Sequence, residues 1–211
     1  MQKIELLKLV GQRLSGREPE DMQEFVSGEA ALVQEGILEG KPFLPWFLSQ
    51  QVPLELGEGE GLVPLPKGFL MADLEEGAFV FWDDGRRTEV RPMDLADARK
   101  EFSGRGQGSP RVYALEGEAG VRFFPEPDGE YTVVFSAFIR AKAWKSLGDA
   151  EDNLWLRHAA DLFSAEVGKV CSEVLRDKDA YQLFSRRVEE GWRNLEHRHL
   201  ERRLAGQALR F

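Results

Sequence analysis

The chain's candidates for chemistry are three histidines, one cysteine, a glycine-rich loop and a few carboxylate pairs in turns. A metal site needs donors that converge. His197 and His199 stand two apart, which on a helix turns them ~200° from each other, and His158 is isolated among apolar neighbours. These histidines read as surface or partly buried side chains, not ligands. Cys171 sits on an apolar stretch without a local basic cluster, so it reads as a small core residue and not a nucleophile. No serine occupies a Gly-x-Ser-x-Gly turn. Gly104-x-Gly106-x-Gly108 has the look of a nucleotide loop, but that fingerprint follows a strand and opens a helix. Here it follows a helical pattern and ends in Ser109-Pro110, which makes it a plain loop. Asp83/Asp84 and Glu126/Asp128 lie in turns, where carboxylates serve local hydrogen bonding. A glycosidase could use such a pair, yet nothing in the sequence brings two of them face to face. The residues therefore supply no catalytic group, no metal site and no cofactor site.

The elements that would position such groups are organised around Arg122–Phe163. Phe123 to Thr132 forms a proline-and-glycine turn closing into a strand, Tyr131 to Arg140. Val133, Phe135, Ala137 and Ile139 alternate on one face and Val134 and Phe138 on the other, the pattern of a central strand covered on both sides. After Gly148 the apolar period changes to 3.6. Asp149 or Asp152 is a candidate cap, and Trp155, Ala159, Leu162, Phe163, Val170 and Val174 follow at helical spacing.

Upstream, Ile4, Leu7 and Leu14 suggest a first helix; Met22, Phe25, Val26, Val33 and Ile37 suggest a second that starts near Pro19. Pro42 to Leu48 is too apolar for a solvated linker and reads as a buried, extended crossing. Hairpins are expected about Asp83-Asp84-Gly85-Arg86 and about residues 116–120, with a short helix over Met93–Phe102 capped by Asp94. Phe79, Phe81, Trp82, Tyr113, Phe123 and Phe135 are expected to share one β core. Past Asp177, Tyr181, Phe184, Val188, Trp192 and Leu195 make one narrow stripe. Leu200 and Leu204 fall off it, so the helix either breaks near His197–His199 or ends against a different partner.

These elements predict an α+β fold: a helical core bundle (1–50 and 141–204) with an inserted antiparallel β domain (51–140) and a carboxyl tail (205–211). No run approaches the roughly 20 apolar residues of a membrane helix, and the opening Met1-Gln2-Lys3-Ile4-Glu5 has no signal-peptide pattern. A lone cysteine excludes an internal disulfide and fits a reducing compartment. Net charge is −9, with acidic residues far outnumbering basic ones between Met1 and Leu62. A protein that grips nucleic acid usually carries a concentrated basic face; an acidic surface lets a duplex slide past.

A set of ordered motifs resembles a known family. Pro45-Trp46-Phe47-Leu48, Leu65-Pro66-x-Gly68-Phe69-Leu70, a short aromatic hairpin, Phe124-Pro125-x-Pro127-Asp128-x-x-Tyr131-Thr132 and Asn153-x-Trp155-Leu156-x-x-x-x-Asp161-Leu162 follow the order and spacing of head-to-tail adaptor proteins of tailed bacteriophages. The resemblance spans about Leu32 to Leu195. Family members often carry a proline before the Asp, where this chain has Ala159-Ala160-Asp161, so that helix is expected to run straighter here.

The resemblance implies a structural, non-enzymatic protein without cofactor. It implies assembly as a ring, typically dodecameric, in the virion neck between the portal protein and the tail (nozzle) protein, after expression in the host cytoplasm. Double-stranded DNA would pass through the ring without sequence-specific binding, and no membrane is involved. The family's carboxyl-terminal segment docks on the portal, which implicates Leu200, Arg202, Arg203, Leu204, Leu209, Arg210 and Phe211, expected to be disordered in the free subunit. Asp83, Asp84 and Arg86 form a tip suited to a neighbouring subunit or the tail, and Glu55, Glu58 and Glu60 are the expected channel-facing acids. Alternatives from other classes are an enzyme acting on carbohydrate or cell-wall polymer through turn carboxylates, a small DNA-binding or packaging factor, and a soluble α+β domain of other role.

Overall fold

In a computed structural model of the chain, the described residues are 1–14, 22–82 and 85–208, with side chains described through residue 205. The chain divides into two units, Met1–Phe47 with Ala141–Phe211, and Leu48–Arg140.

The first unit holds α1 (Lys3–Gly11) and α2 (Gln23–Gly36), which bury Leu6, Leu7 and Val10, and Val26, Ala30 and Ala31 respectively. The apolar segment after Pro42 ends in a 3₁₀ turn, Trp46–Leu48, and not in an extended crossing. Two prolines deny the segment helical hydrogen bonds, while Phe47 and Leu48 are buried. The first unit continues with α4 (Leu154–His158), α5 (Ala160–Val174) and α6 (Lys178–Ala208), while α3 (Leu95–Glu101) belongs to the second. The Asn153 side chain caps α4, accepting from the Leu156 N–H at 3.0 Å; the aspartates expected in this role do not.

A straight helix was expected through Ala159, but the chain breaks there: Ala159 has φ −142° and ψ 39°, outside helical values. The break lets Trp155 and Leu156 and then Leu162 and Phe163 all stay buried. By contrast α6 runs unbroken through His197–His199 and Gly206, 31 residues in all. Where α5 meets α6, glycines allow close approach. A Cβ at Gly168 would stand 2.4 Å from the Phe184 ring, and one at Gly191 2.9 Å from Leu162.

The second unit is a sheet with one helix. Its strands are β1 (Ser49–Leu56), β2 (Leu62–Val63), β3 (Phe69–Ala72), β4 (Ala78–Phe81), β5 (Arg87–Pro92), β6 (Val112–Leu115), β7 (Val121–Phe124) and β8 (Tyr131–Ile139), with α3 (Leu95–Glu101) between β5 and β6. Strand order is β1-β8-β4-β5-β6-β7-β2, and β3 pairs β8 off this path. β8 is the central strand. It pairs β1 along its length on one side; on the other it pairs β4 opposite Val133–Phe135 and β3 opposite Ala137–Ile139.

Val133, Phe135, Ala137 and Ile139 enter the interior with Leu54, Val80, Val90, Tyr113 and Phe123. Phe81 does not join them and is 48% exposed, and Phe79 lies under the Arg87 guanidinium, 5.0 Å from its ring centre. Strand side chains alternate, and it is the small Ala78 and Val80 that point inward, both fully buried. Asp94 caps α3 by accepting from the Ala96 and Asp97 N–H groups, and the helix covers Val112, Ala114 and Phe124.

The expected fold class is corrected on both counts. Among the described residues the fold is mixed, with six helices and an eight-stranded, nearly closed, barrel-like sheet, and these helices do not form a core bundle. They range from the 5 residues of α4 to the 31 of α6, unlike the matched lengths of a bundle. Nor is the sheet antiparallel throughout, because β5 and β6 run parallel at Arg91↔Val112. The cause is α3: a helical crossover returns the chain in the same direction, whereas a tight turn would have reversed it.

Candidate functional site

Among the described residues no group of three or more His, Cys, Asp or Glu side chains could hold a metal ion. His197 is exposed and faces Glu201 at 3.5 Å. His199 is buried, stacked on Phe43 with ring centres 4.9 Å apart, and its Nε2 lies 3.4 Å from an Arg203 nitrogen. His158 stacks on Phe47 at 5.4 Å. Burial, then the positive charges of Arg157, Arg202 and Arg198, hold its pKa below the usual imidazole value. Cys171 is fully buried, and burial pushes its thiol up to about 12, so it is protonated at neutral pH. Asp128 accepts from the Tyr131 hydroxyl at 2.6 Å, a use within its own turn. Gly104 to Gly108 joins α3 to β6, the wrong order for a phosphate-cradling loop.

The residues suited to contacts lie elsewhere. On α6, Leu200 and Leu204 are 52% and 66% exposed, off the stripe that buries Ala180, Phe184, Val188, Leu195 and His199. The Arg198 and Arg202 guanidinium groups lie 5.5 and 5.0 Å from the Trp46 ring centre, holding this part of α6 to the 3₁₀ turn. Lys41 does the same over Trp192 at 4.1 Å. Arg203 is half-buried beside His199. Leu209, Arg210 and Phe211 lie outside the described residues, as do Asp83 and Asp84. Arg86 is exposed in the β4–β5 hairpin, next to Gly85 whose φ of 81° favours glycine.

Glu55 is exposed on β1 and accepts from Thr132 at 2.8 Å; Glu58 and Glu60 are exposed in the β1–β2 turn. That turn is tied down by a Gly59 N–H bond to the Pro127 carbonyl. The structure thus gathers Glu55, Glu58 and Glu60 near one end of β1, and Leu200, Arg202, Arg203 and Leu204 on α6.

Asp73 and Tyr113 are among the buried polar groups that escaped sequence reasoning. Asp73 is 5% exposed and accepts from Ser49 at 2.6 Å and from the N–H groups of Glu75 and Glu76. The signal was present in Asp73-Leu74-Glu75-Glu76-Gly77, an aspartate opening a tight turn. Tyr113 is 2% exposed and its hydroxyl has no hydrogen-bond partner among the described residues. Burial, then the Asp73 charge, raise its pKa to about 12. An inward tyrosine on a strand carries no local signal that its hydroxyl will be left unpaired.

Against this absence of an assembled reactive centre, the family comparison is decisive. The model of the SU10 adaptor protein family matches residues 1–209. The chain belongs to that family. No curated protein matches it. The SU10 adaptor proteins are a phage head-to-tail adaptor family, so this adaptor is a structural component of a virion that interacts with other head or tail proteins. Membership points to a structural, non-enzymatic protein.

Proposed function

We propose that the adaptor joins the portal protein to the tail in the virion neck, as a ring of copies around the DNA channel. The observation that carries the reading is the far part of α6, where Leu200 and Leu204 stand exposed beside Arg202 and Arg203 at the end of a 31-residue helix. Exposed leucines off a core stripe need a second surface to cover them, and arginines supply donors for a partner's carboxylates. The tail, residues 205–211, continues this contact through Leu209, Arg210 and Phe211. Residues 200–208 are helical, so this part of the contact is carried on a formed helix.

The dodecameric ring, the tail (nozzle) protein below it and assembly in the host cytoplasm belong to the same reading. Glu55, Glu58 and Glu60 would face passing double-stranded DNA and repel its phosphates, and Asp83, Asp84 and Arg86 would touch a neighbour or the tail. No membrane contact is needed: among the described residues no helix is long and apolar enough to cross one. The test is portal binding by the chain truncated after Leu200, with circular dichroism confirming that the rest folds. Loss of binding is expected. Full-strength binding by the truncated chain would remove the end of α6 from the interface.

A further inference from the structure

Besides its exposed leucines, the far part of α6 carries a pair of arginines held over one aromatic ring. Arg198 and Arg202 stand one helical turn apart, ~6 Å along the axis, and both are exposed. Their guanidinium groups lie over the same indole, 5.5 and 5.0 Å from the Trp46 ring centre. Trp46 is itself half-buried and packs edge-on against Phe47 with ring centres 5.3 Å apart. Like charges at this spacing repel and destabilise a helix, yet the shared ring keeps the two together. At ~100° per residue, Leu200 and Leu204 fall on the other side of α6. The arginine pair is therefore a contact surface of its own and not the rim of the leucine face.

The positive charge of the pair is not matched within the chain. Asp152 is taken by Arg157 at 2.7 Å, and Glu201 faces His197 at 3.5 Å. Among the described residues no ion pair reaches Arg198 or Arg202, in a chain whose net charge is −9. His158 senses the excess: after burial, the charges of Arg157, Arg202 and Arg198 lower its pKa, with Asp152 opposing them. Each guanidinium offers five N–H donors in a rigid fork, more than an indole can engage. The fork fits a carboxylate or a phosphate. A patch two arginines wide is too narrow for a duplex, which calls for a broad basic face. Glu196 and Glu201, exposed on the same helix, would also meet the duplex phosphates. Carboxylates on a protein are the better match, and on a helix they recur at the spacing of the arginines when four residues apart.

We propose that Arg198 and Arg202, held over Trp46, form a carboxylate clamp that takes a helical segment of a partner protein carrying Asp or Glu one turn apart. Each carboxylate accepts from one guanidinium, and the ring limits the freedom that the arginines lose on binding. The clamp rests on the reading that the end of α6 docks a partner, and it names the chemistry of that partner.

The test uses the full chain and the peptide acetyl-Ala-Gln-Ala-Ala-Gln-Ala-Glu-Ala-Ala-Ala-Glu-Ala-Gln-Ala-Ala-Gln-Ala-amide, long enough to populate a helix. One control peptide has glutamines for both glutamates, a second has its glutamates two residues apart and so on opposite sides, and a short DNA duplex is the third ligand. Binding is followed through the Trp46 Nε1–H and the arginine Nε–H signals. The glutamate peptide is expected to bind about fivefold or more tightly than either control peptide. Its carboxylates should raise the His158 pKa, read by titration of the ring signals, because they offset Arg198 and Arg202. Arg198→Lys/Arg202→Lys keeps the charge and loses the forks, and should weaken binding about threefold or more. Trp46→Leu should weaken it as well, with circular dichroism confirming the fold. Equal binding of the three peptides, an unmoved His158 titration or indifference to the lysine pair would overturn the proposal. Preference for the duplex, with a steep loss in salt, would also overturn it and assign the pair to nucleic acid. The lysine variant retains Leu200 and Leu204, so portal binding by that variant beside a failed peptide would remove the clamp and leave the portal-joining reading in place.

Discussion

Gly168→Ala sets two effects of opposite sign against each other. Alanine favours a helix interior over glycine by ~1 kcal/mol, so the substitution should stabilise α5 if nothing else intervened. The new Cβ, however, would lie 2.4 Å from two ring carbons of Phe184, about 1 Å inside ordinary contact. Phe184 is 1% exposed and has no open space to move into. Overpacking a core in this way costs ~1–3 kcal/mol, and so close an approach belongs at the upper end. The expected net change is a destabilisation of ~1–2 kcal/mol. Gly28→Ala in α2 is the control, since its Cβ would meet nothing within 4 Å and should stabilise by ~0.5–1 kcal/mol. Urea unfolding followed through Trp144, Trp155 and Trp192 reads both. The double variant Gly168→Ala/Phe184→Leu should recover part of the loss, because residues in contact are not additive. If Gly168→Ala stabilised as Gly28→Ala does, the close α5–α6 packing would be wrong.

Two acid-sensitive groups should separate by pH window. His158 has a folded pKa held below its ordinary value by burial and by Arg157, Arg202 and Arg198, with Asp152 opposing. The unfolded chain therefore binds the proton first, and stability that is full above about pH 6.5 is lost as pH falls from there through the folded value. Its ring packs on Phe47 and Trp46, so His158→Gln should lower stability at pH 7 but flatten the slope between about pH 5 and 7; an unchanged slope would refute the assignment. Glu116 lies between Arg122 and Arg99, and its hydrogen bond from Arg122, then both positive charges, hold its pKa down. That stability is present above the usual carboxylate value of about 4.3 and is lost as pH falls through the lower folded one. Glu116→Gln should remove this acid-limb dependence from the transition of residues 48–140, whose tryptophan is Trp82. A wild-type acid limb in the variant would sink the prediction.

The sequence carried the strands better than it carried their facing. Period-two alternation identified β8, because alternation is a local consequence of the pleat, and turn residues between short apolar runs identified both hairpins. Placing Phe79 and Phe81 in the β core failed: Ala78 and Val80 go in, and Phe79 and Phe81 go out. A one-residue shift exchanges the faces of a strand, and only its neighbours in the sheet fix that choice. The same limit hid the parallel β5–β6 pair. Both strands and α3 were readable locally, but that β6 returns beside β5 depends on contacts across the sheet. At Ala159 the break carries no proline or glycine signal, so nothing local announced it.

α6 shows the same limit in the candidate interface. By hydropathy the apolar stripe stops at Leu195, since the next position on it is a histidine. In the structure that position is still core: His199 lies four residues on, 3% exposed and flat against Phe43. An imidazole can serve as an aromatic surface, and hydropathy alone does not separate that use from a solvated one. Recognising His199 as part of the stripe explains why the helix has no reason to break at His197–His199. It also sharpens the contrast with Leu200 and Leu204. These leucines are not where a failing helix wanders from its core; they occupy a second face of a continuous helix whose first face remains packed. An apolar face on an ordered helix is a preformed surface, and a partner that covers it does so without the ordering cost of a disordered tail. Portal docking through α6 would then depend on the rigidity that His199, Phe43 and the Trp46–arginine contacts supply, as well as on the leucines that make the contact.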